Sequence, residues 1–297
     1  MPRLEYLHLV DQTIFEQPIP LNNTLVEELP SVPLPHLTTL QLFGTTYDCT
    51  TLLSHITFSS FVDLEIHCHR VETVPQVQTL VDFVKDNFSR SGSIDKSPLS
   101  VRMNACTGEL SFDVDLVSNA ERKRLVSLGM HSEVPGFFEG CFSIVSPIIF
   151  DSIPVAATKR LDMRSNISIS PDLWAYILNR MTEIRVLKAS FNGTIDLSHV
   201  LGTRIPDTPW FVAKKLRSLT FSGVSFTHCT SKRSRFHEAL LDCLQKRSNG
   251  DQRVTNLNFH SYSDVSASLQ PQFRKVAHNV GWDQEPEEDM MMVLDDD

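Results

Sequence analysis

The stretch Leu37-Thr-Thr-Leu40-Gln-Leu42-Phe43 decides the fold, because its phrase returns along the chain. Leu4-Glu-Tyr-Leu7-His-Leu9, Phe61-Val-Asp-Leu64-Glu-Ile66, Ile184-Arg-Val-Leu187-Lys-Ala189, Leu216-Arg-Ser-Leu219-Thr-Phe221 and Val254-Thr-Asn-Leu257-Asn-Phe259 repeat it. Each is apolar-x-x-apolar-x-apolar. The closing residues alternate with period two, the pattern of a strand with one buried face. The leading apolar residue reads as the incoming turn. Six occurrences in one chain make a repeat.

Helical stripes fall between the phrases. Val77, Leu80, Val81, Val84 and Phe88 mark one face of a helix, with Pro75 near its start. Further helices are expected over Pro171 to Met181, Arg235 to Lys246 and Gln270 to Val280, with shorter ones over Thr50 to Phe58, Leu197 to Leu201 and around Leu25 to Leu29. Parallel strands need such crossovers, since no tight turn can join them. The expected fold class is therefore α/β: an irregular leucine-rich-repeat-like solenoid over residues 1–282, with a curved parallel sheet inside and helices outside. An irregular insertion occupies about 104–158. Leu99 to Met103 and Leu110 to Val114 alternate and read as a hairpin across Gly108. Beyond it, Glu121 to Leu128 reads as helical, and Phe142 to Val145 and Ile148 to Phe150 read as short strands on either side of Pro147.

The net charge is −9, but Asp283 to Asp297 holds eight acidic residues and no basic one. The preceding residues are left near neutral, and 283–297 reads as a disordered acidic tail. A nucleic-acid binder would carry a basic body or stripe. Only short clusters occur, at Arg122-Lys123-Arg124, Lys214-Lys215 and Lys232-Arg233. No apolar run approaches the ~20 residues of a membrane span. Six scattered cysteines without a C-x-x-C spacing read as free thiols in a reducing compartment, cytoplasmic or nuclear.

The polar residue between the alternating apolar ones faces the inner side of the expected arc. Down the strands this column holds His8, Gln41, Glu65, Arg102, Asp162, Lys188, Thr220 and Asn258. Two residues on, a neighbouring column includes Phe43, His67, Arg164, Ser190, Ser222 and His260. Arcs of this kind bind macromolecules along the inner face, so these columns are the expected protein-binding surface. His67-Cys68-His69 resembles a ligand cluster. Alternation, however, turns Cys68 inward and both histidines outward, and no second cluster at zinc spacing exists. His131, Glu133 and Glu139 are the nearest approach to acid/base groups. No nucleophile, phosphate-loop or metalloprotease motif accompanies them. Neither a cofactor nor an enzymatic activity is expected.

The segments "LPHLTTLQLFG", "LRSLTFSGVSF", "FHEALLDCLQKRSNGDQRVTNLNF" and the closing "VGWD" resemble fungal, mainly mushroom-type, F-box proteins with degenerate leucine-rich repeats. The resemblance covers most of residues 1–282. It implies a substrate-binding repeat module of a ubiquitin-ligase receptor. In that family a preceding F-box grips a Skp-type adaptor. No L-P-x-E-[IL]-[LW] signature occurs ahead of the repeats here, and Glu28-Leu29-Pro30 does not supply one. An adaptor is thus an expected partner only if an F-box lies outside this sequence. The alternative is a free-standing repeat scaffold with no ligase role.

Overall fold

The computed structural model describes residues 3–10, 30–58, 61–90, 99–117, 122–265 and 268–283. The expected helix at Leu25 to Leu29 and the acidic tail beyond Asp283 lie outside them. The chain forms two compact units, Met1–Val155 and Ala156–Asp297.

In the first unit the order is β1 (Tyr6–Val10), β2 (Val32–Pro33), β3 (Thr39–Thr45), α1 (Thr46–His55), β4 (Ile56–Thr57), β5 (Asp63–His69), α2 (Val74–Ser89), β6 (Leu99–Ala105), β7 (Glu109–Val117), β8 (Arg122–His131) and α3 (Phe137–Asp151). The main sheet runs β1-β3-β5-β8-β7-β6, and β2 pairs with β4 apart from it. The recurring phrase does what its period demands. Leu7, Leu40 and Leu64 stand side by side in parallel strands, as do Leu9, Leu42 and Ile66. Leu40, Leu42, Leu64 and Ile66 are at most 2% exposed. The side chain of Thr45 caps α1 by accepting from the Asp48 N–H, so helix follows strand without a loop. Asn87, near the end of α2, is fully buried and bonds both the N–H and the C=O of Val62. That amide pairing ties the helix to the entry of β5.

Three expectations for the insertion meet different outcomes. The hairpin of β6 and β7 forms, antiparallel as its alternation requires. Of residues 121–128, expected as helix, 122–128 instead belong to β8, which continues the meander and lies parallel to β5. The register shifts between Val114 and Asp115, which face Val126 and Arg124, so Leu125 is the extra residue of a bulge. Leu125 and Val126 are consequently both buried, and the broken period mimics helical spacing. The expected strands at 142–145 and 148–150 are one helix, α3, which runs through Pro147. An internal proline costs about 3 kcal/mol. Burial of Phe138, Cys141, Phe142, Val145, Ile149 and Phe150 on that helix offsets it at about 1.5–3 kcal/mol for each large side chain.

The second unit is the more regular. It comprises β9 (Thr158–Ser165), α4 (Pro171–Arg180), β10 (Val186–Ser190), a 3-10 turn (Phe191–Thr194), α5 (Leu197–Leu201), β11 (Ser218–Ser222), α6 (Phe236–Asn249), β12 (Asn256–His260), α7 (Leu269–Val276) and β13 (Asn279–Trp282). The strands lie in chain order, all parallel. Leu161, Leu187, Leu219 and Leu257 form one in-register row, and Met163, Ala189, Phe221 and Phe259 the next. All eight are fully buried. The leading residues Ile184, Leu216 and Val254 are buried too. A backbone ladder joins the turns through Arg185 N–H to Lys159, Arg217 to Arg185, Thr255 to Arg217 and Asn279 to Thr255.

The last expected helix is shorter than its pattern. It stops at Val276, and residues 279–282 pair with β12 as a strand. Trp282 stacks on Phe259 with ring centroids 4.5 Å apart, which favours the extended chain there. Gly281 permits the pairing, because a Cβ would lie 2.5 Å from Asn258 Oδ1. The guanidinium of Arg247, fully buried on α6, donates to the carbonyls of Leu201, Val212 and Ala213. It organises the proline-bearing loop that the sequence left without structure.

Candidate binding face

The buried faces of the strands meet the helices, so their other faces carry the polar columns. In the first unit, His8, Gln41 and Glu65 stand in register across β1, β3 and β5. The hydroxyl of Tyr6 donates to Gln41 Oε1, and Gln41 Nε2 donates to Glu65 Oε2 at 2.7 Å. The other Glu65 oxygen lies 3.5 Å from His67 Nε2. His67 stacks on Phe43, centroids 4.9 Å apart and 6° from parallel, and His8 meets Phe43 edge-on at 5.7 Å. These contacts bring the predicted His8, Gln41, Glu65 and His67 into one patch. Gly129 of β8 makes room for it, since a Cβ there would sit 2.4 Å from His67 Nδ1.

Arg102 shares the face but is not the next rung after Glu65. Strands β8 and β7 intervene, with Ser127 opposite Glu65 and Asp113 opposite both Ser127 and Arg102. Ser127 Oγ donates to Asp113 Oδ1 at 2.7 Å, and Arg102 lies 3.4 Å from Asp113 Oδ2. Sequence reasoning missed Ser127 because it took 121–128 for a helix, and Gly129 because it lay just beyond that helix. Asp113 was visible as the polar member of an alternating strand.

Below this patch, the Cys68 thiol is pushed far up by its hydrogen bond with Cys49 and by burial, which makes it a poor nucleophile or metal ligand. Among the described residues no group of three His, Cys, Asp or Glu side chains is arranged to hold a metal ion. Glu133 pairs with Arg70 at 3.4 Å, and Glu139 sits in the first turn of α3. Neither is linked to His131 by a hydrogen bond among the described residues.

In the second unit Asp162, Lys188, Thr220 and Asn258 form the first column, and Arg164, Ser190, Ser222 and His260 the second. Asn258 is taken up against Gly281 of β13. The others, Asp162, Arg164, Lys188 and His260 included, line a cavity of about 280 Å³ together with Phe191. Phe191 was not foreseen. It follows β10 with φ of 57° and remains 48% exposed. An aromatic residue in the left-handed region stores strain on the order of 1–3 kcal/mol. Its ring lies against Gly223, where a Cβ would come within 2.6 Å. By alternation Phe191 continues the buried phase of Leu187 and Ala189, so the sequence pattern placed it inside, and backbone sign is invisible in such a pattern.

Compared with protein-family models, curated proteins and solved structures, the chain matches none. No helix among the described residues is long and apolar enough to cross a membrane.

Proposed function

We propose that this chain is a non-enzymatic protein-interaction module of leucine-rich-repeat-like character, whose open sheet face receives a protein partner. The supporting observation is the set of in-register polar columns on the face opposite the helices, in both units. Such a surface offers charge, hydroxyls and aromatic rings without a gathered acid, base and nucleophile. Several basic residues elsewhere are already engaged. Lys123 lies 3.0 Å from Asp63, and Lys215 pairs with Glu183, which argues for a protein partner over nucleic acid.

Glu65 and Lys188 are half-buried, and Glu65→Lys and Lys188→Glu should each cost no more than about 1–2 kcal/mol of folding stability, the size of one lost hydrogen bond or one like-charge contact. Each should weaken cross-linking of the captured partner to the face. Unaltered capture by both variants would exclude the face. The resemblance to F-box receptors adds a role in substrate choice for ubiquitylation. A pull-down with a Skp-type adaptor separates that role from a free-standing scaffold. Retention is expected of a ligase subunit carrying an F-box, and none of a scaffold.

A further inference from the structure

The cavity of the second unit has chemistry more specific than a polar surface requires. Ser190 and Thr220 are 7% and 6% exposed, yet neither hydroxyl is hydrogen-bonded to another described residue although both residues line the cavity. Neither oxygen is among the solvent-excluded polar atoms without a partner, so both hydroxyls are open to the cavity and free to bond a ligand there. Arg164 and Lys188 line the same space. Asp162 Oδ1 accepts from Arg164 Nε at 3.4 Å, which leaves the terminal guanidinium fork for another acceptor. Lys188 has no carboxylate within ion-pair distance among the described residues. His260 approaches Asp283 through Nδ1 at 3.6 Å, and its Nε2 meets no hydrogen-bond partner among the described residues. The carboxylates nearby, Asp162 and Asp283, are thus each committed to a neighbour.

We propose that this cavity is a phosphate-binding subsite for a phosphorylated side chain of the protein partner. The proposal rests on the interaction reading above and names the chemistry of one subsite. The donors are an Arg fork, a lysine ammonium and the two cavity-lining hydroxyls of Ser190 and Thr220. They suit the three terminal oxygens and nearly double negative charge of a phosphomonoester better than the single charge of a carboxylate. Phe191, held at the rim by its contact with Gly223, supplies an apolar wall for the carbon skeleton that carries the phosphate. A polynucleotide would need a basic track. Here Asp162, itself part of the cavity lining, and Asp283 beside His260 interrupt the positive charge.

The test titrates N-acetyl-phosphoserine methylamide, N-acetyl-phosphotyrosine methylamide, their unphosphorylated counterparts and inorganic phosphate into the full chain. Amide shifts are followed by NMR. A phosphorylated probe should shift Lys188, Ser190 and Thr220 saturably. Arg164→Gln and Lys188→Gln should each weaken that binding about tenfold, the loss expected for one charge-assisted contact. Lys188→Arg should restore most of it, and Lys85→Gln, exposed on α2 of the first unit, should leave it unchanged. Equal shifts from unphosphorylated probes, shifts from inorganic phosphate alone, or affinity indifferent to Arg164→Gln would overturn the subsite. A partner that still cross-links to the face after phosphatase treatment would remove the phosphate subsite and leave the interaction reading intact. Probe binding without any partner contact at the face would do the reverse to that reading.

Discussion

At the scale of single residues, several buried polar groups do structural work that no period in the sequence announces. Asn87 and Arg247 each satisfy backbone groups that would otherwise be orphaned in the interior. His199 shows the same principle with a pH consequence. Its Nε2 lies 2.9 Å from Thr230 Oγ1, and burial, aided by the Lys232 charge, holds its pKa below the ordinary 6.5. The folded chain therefore takes up that proton later than the unfolded chain. Its contribution to stability is present above pH 6.5 and is lost as the pH falls below it. Urea midpoints should decline between pH 7 and pH 5, and His199→Gln should flatten part of that decline. An identical pH slope in the variant would refute the assignment. None of this was legible beforehand, because a histidine's environment is set by residues distant in the chain.

At the scale of elements, the patterned segments were readable and the insertion was not. Helices α2, α4 and α6 carry uninterrupted apolar stripes and formed where those stripes lie. Segment β8 lost its alternation to one bulged residue, Leu125. Helix α3 is apolar on so much of its surface that strand and helix patterns both fit, and Pro147 argued for a break. Tertiary burial outweighed that local preference. Pro147→Ala should raise stability by about 1–2 kcal/mol, the helix penalty of proline less the packing lost from its half-buried ring. Denaturant unfolding would measure it, and a fall in the midpoint would mean that the ring packs better than the backbone is strained.

At the scale of the whole molecule, each unit is built on rows of identical positions stacked across strands. Leu219 is fully buried, with Leu187 and Leu257 in register on either side. Leu219→Ala should cost about 2–5 kcal/mol in equilibrium unfolding. A loss under about 1 kcal/mol would contradict the row. The sequence by itself determined the repeated strand, its buried and open sides, the parallel succession in the second unit and the hairpin in the first. Those follow from side-chain period, which is local. Only the tertiary structure decided that two further strands separate Glu65 from Arg102, that β13 rather than a longer helix follows α7, and that Phe191 closes on a cavity with Arg164 and Lys188. Strand order and the meeting of distant side chains depend on contacts between segments far apart in the chain, and no periodicity within one segment records them.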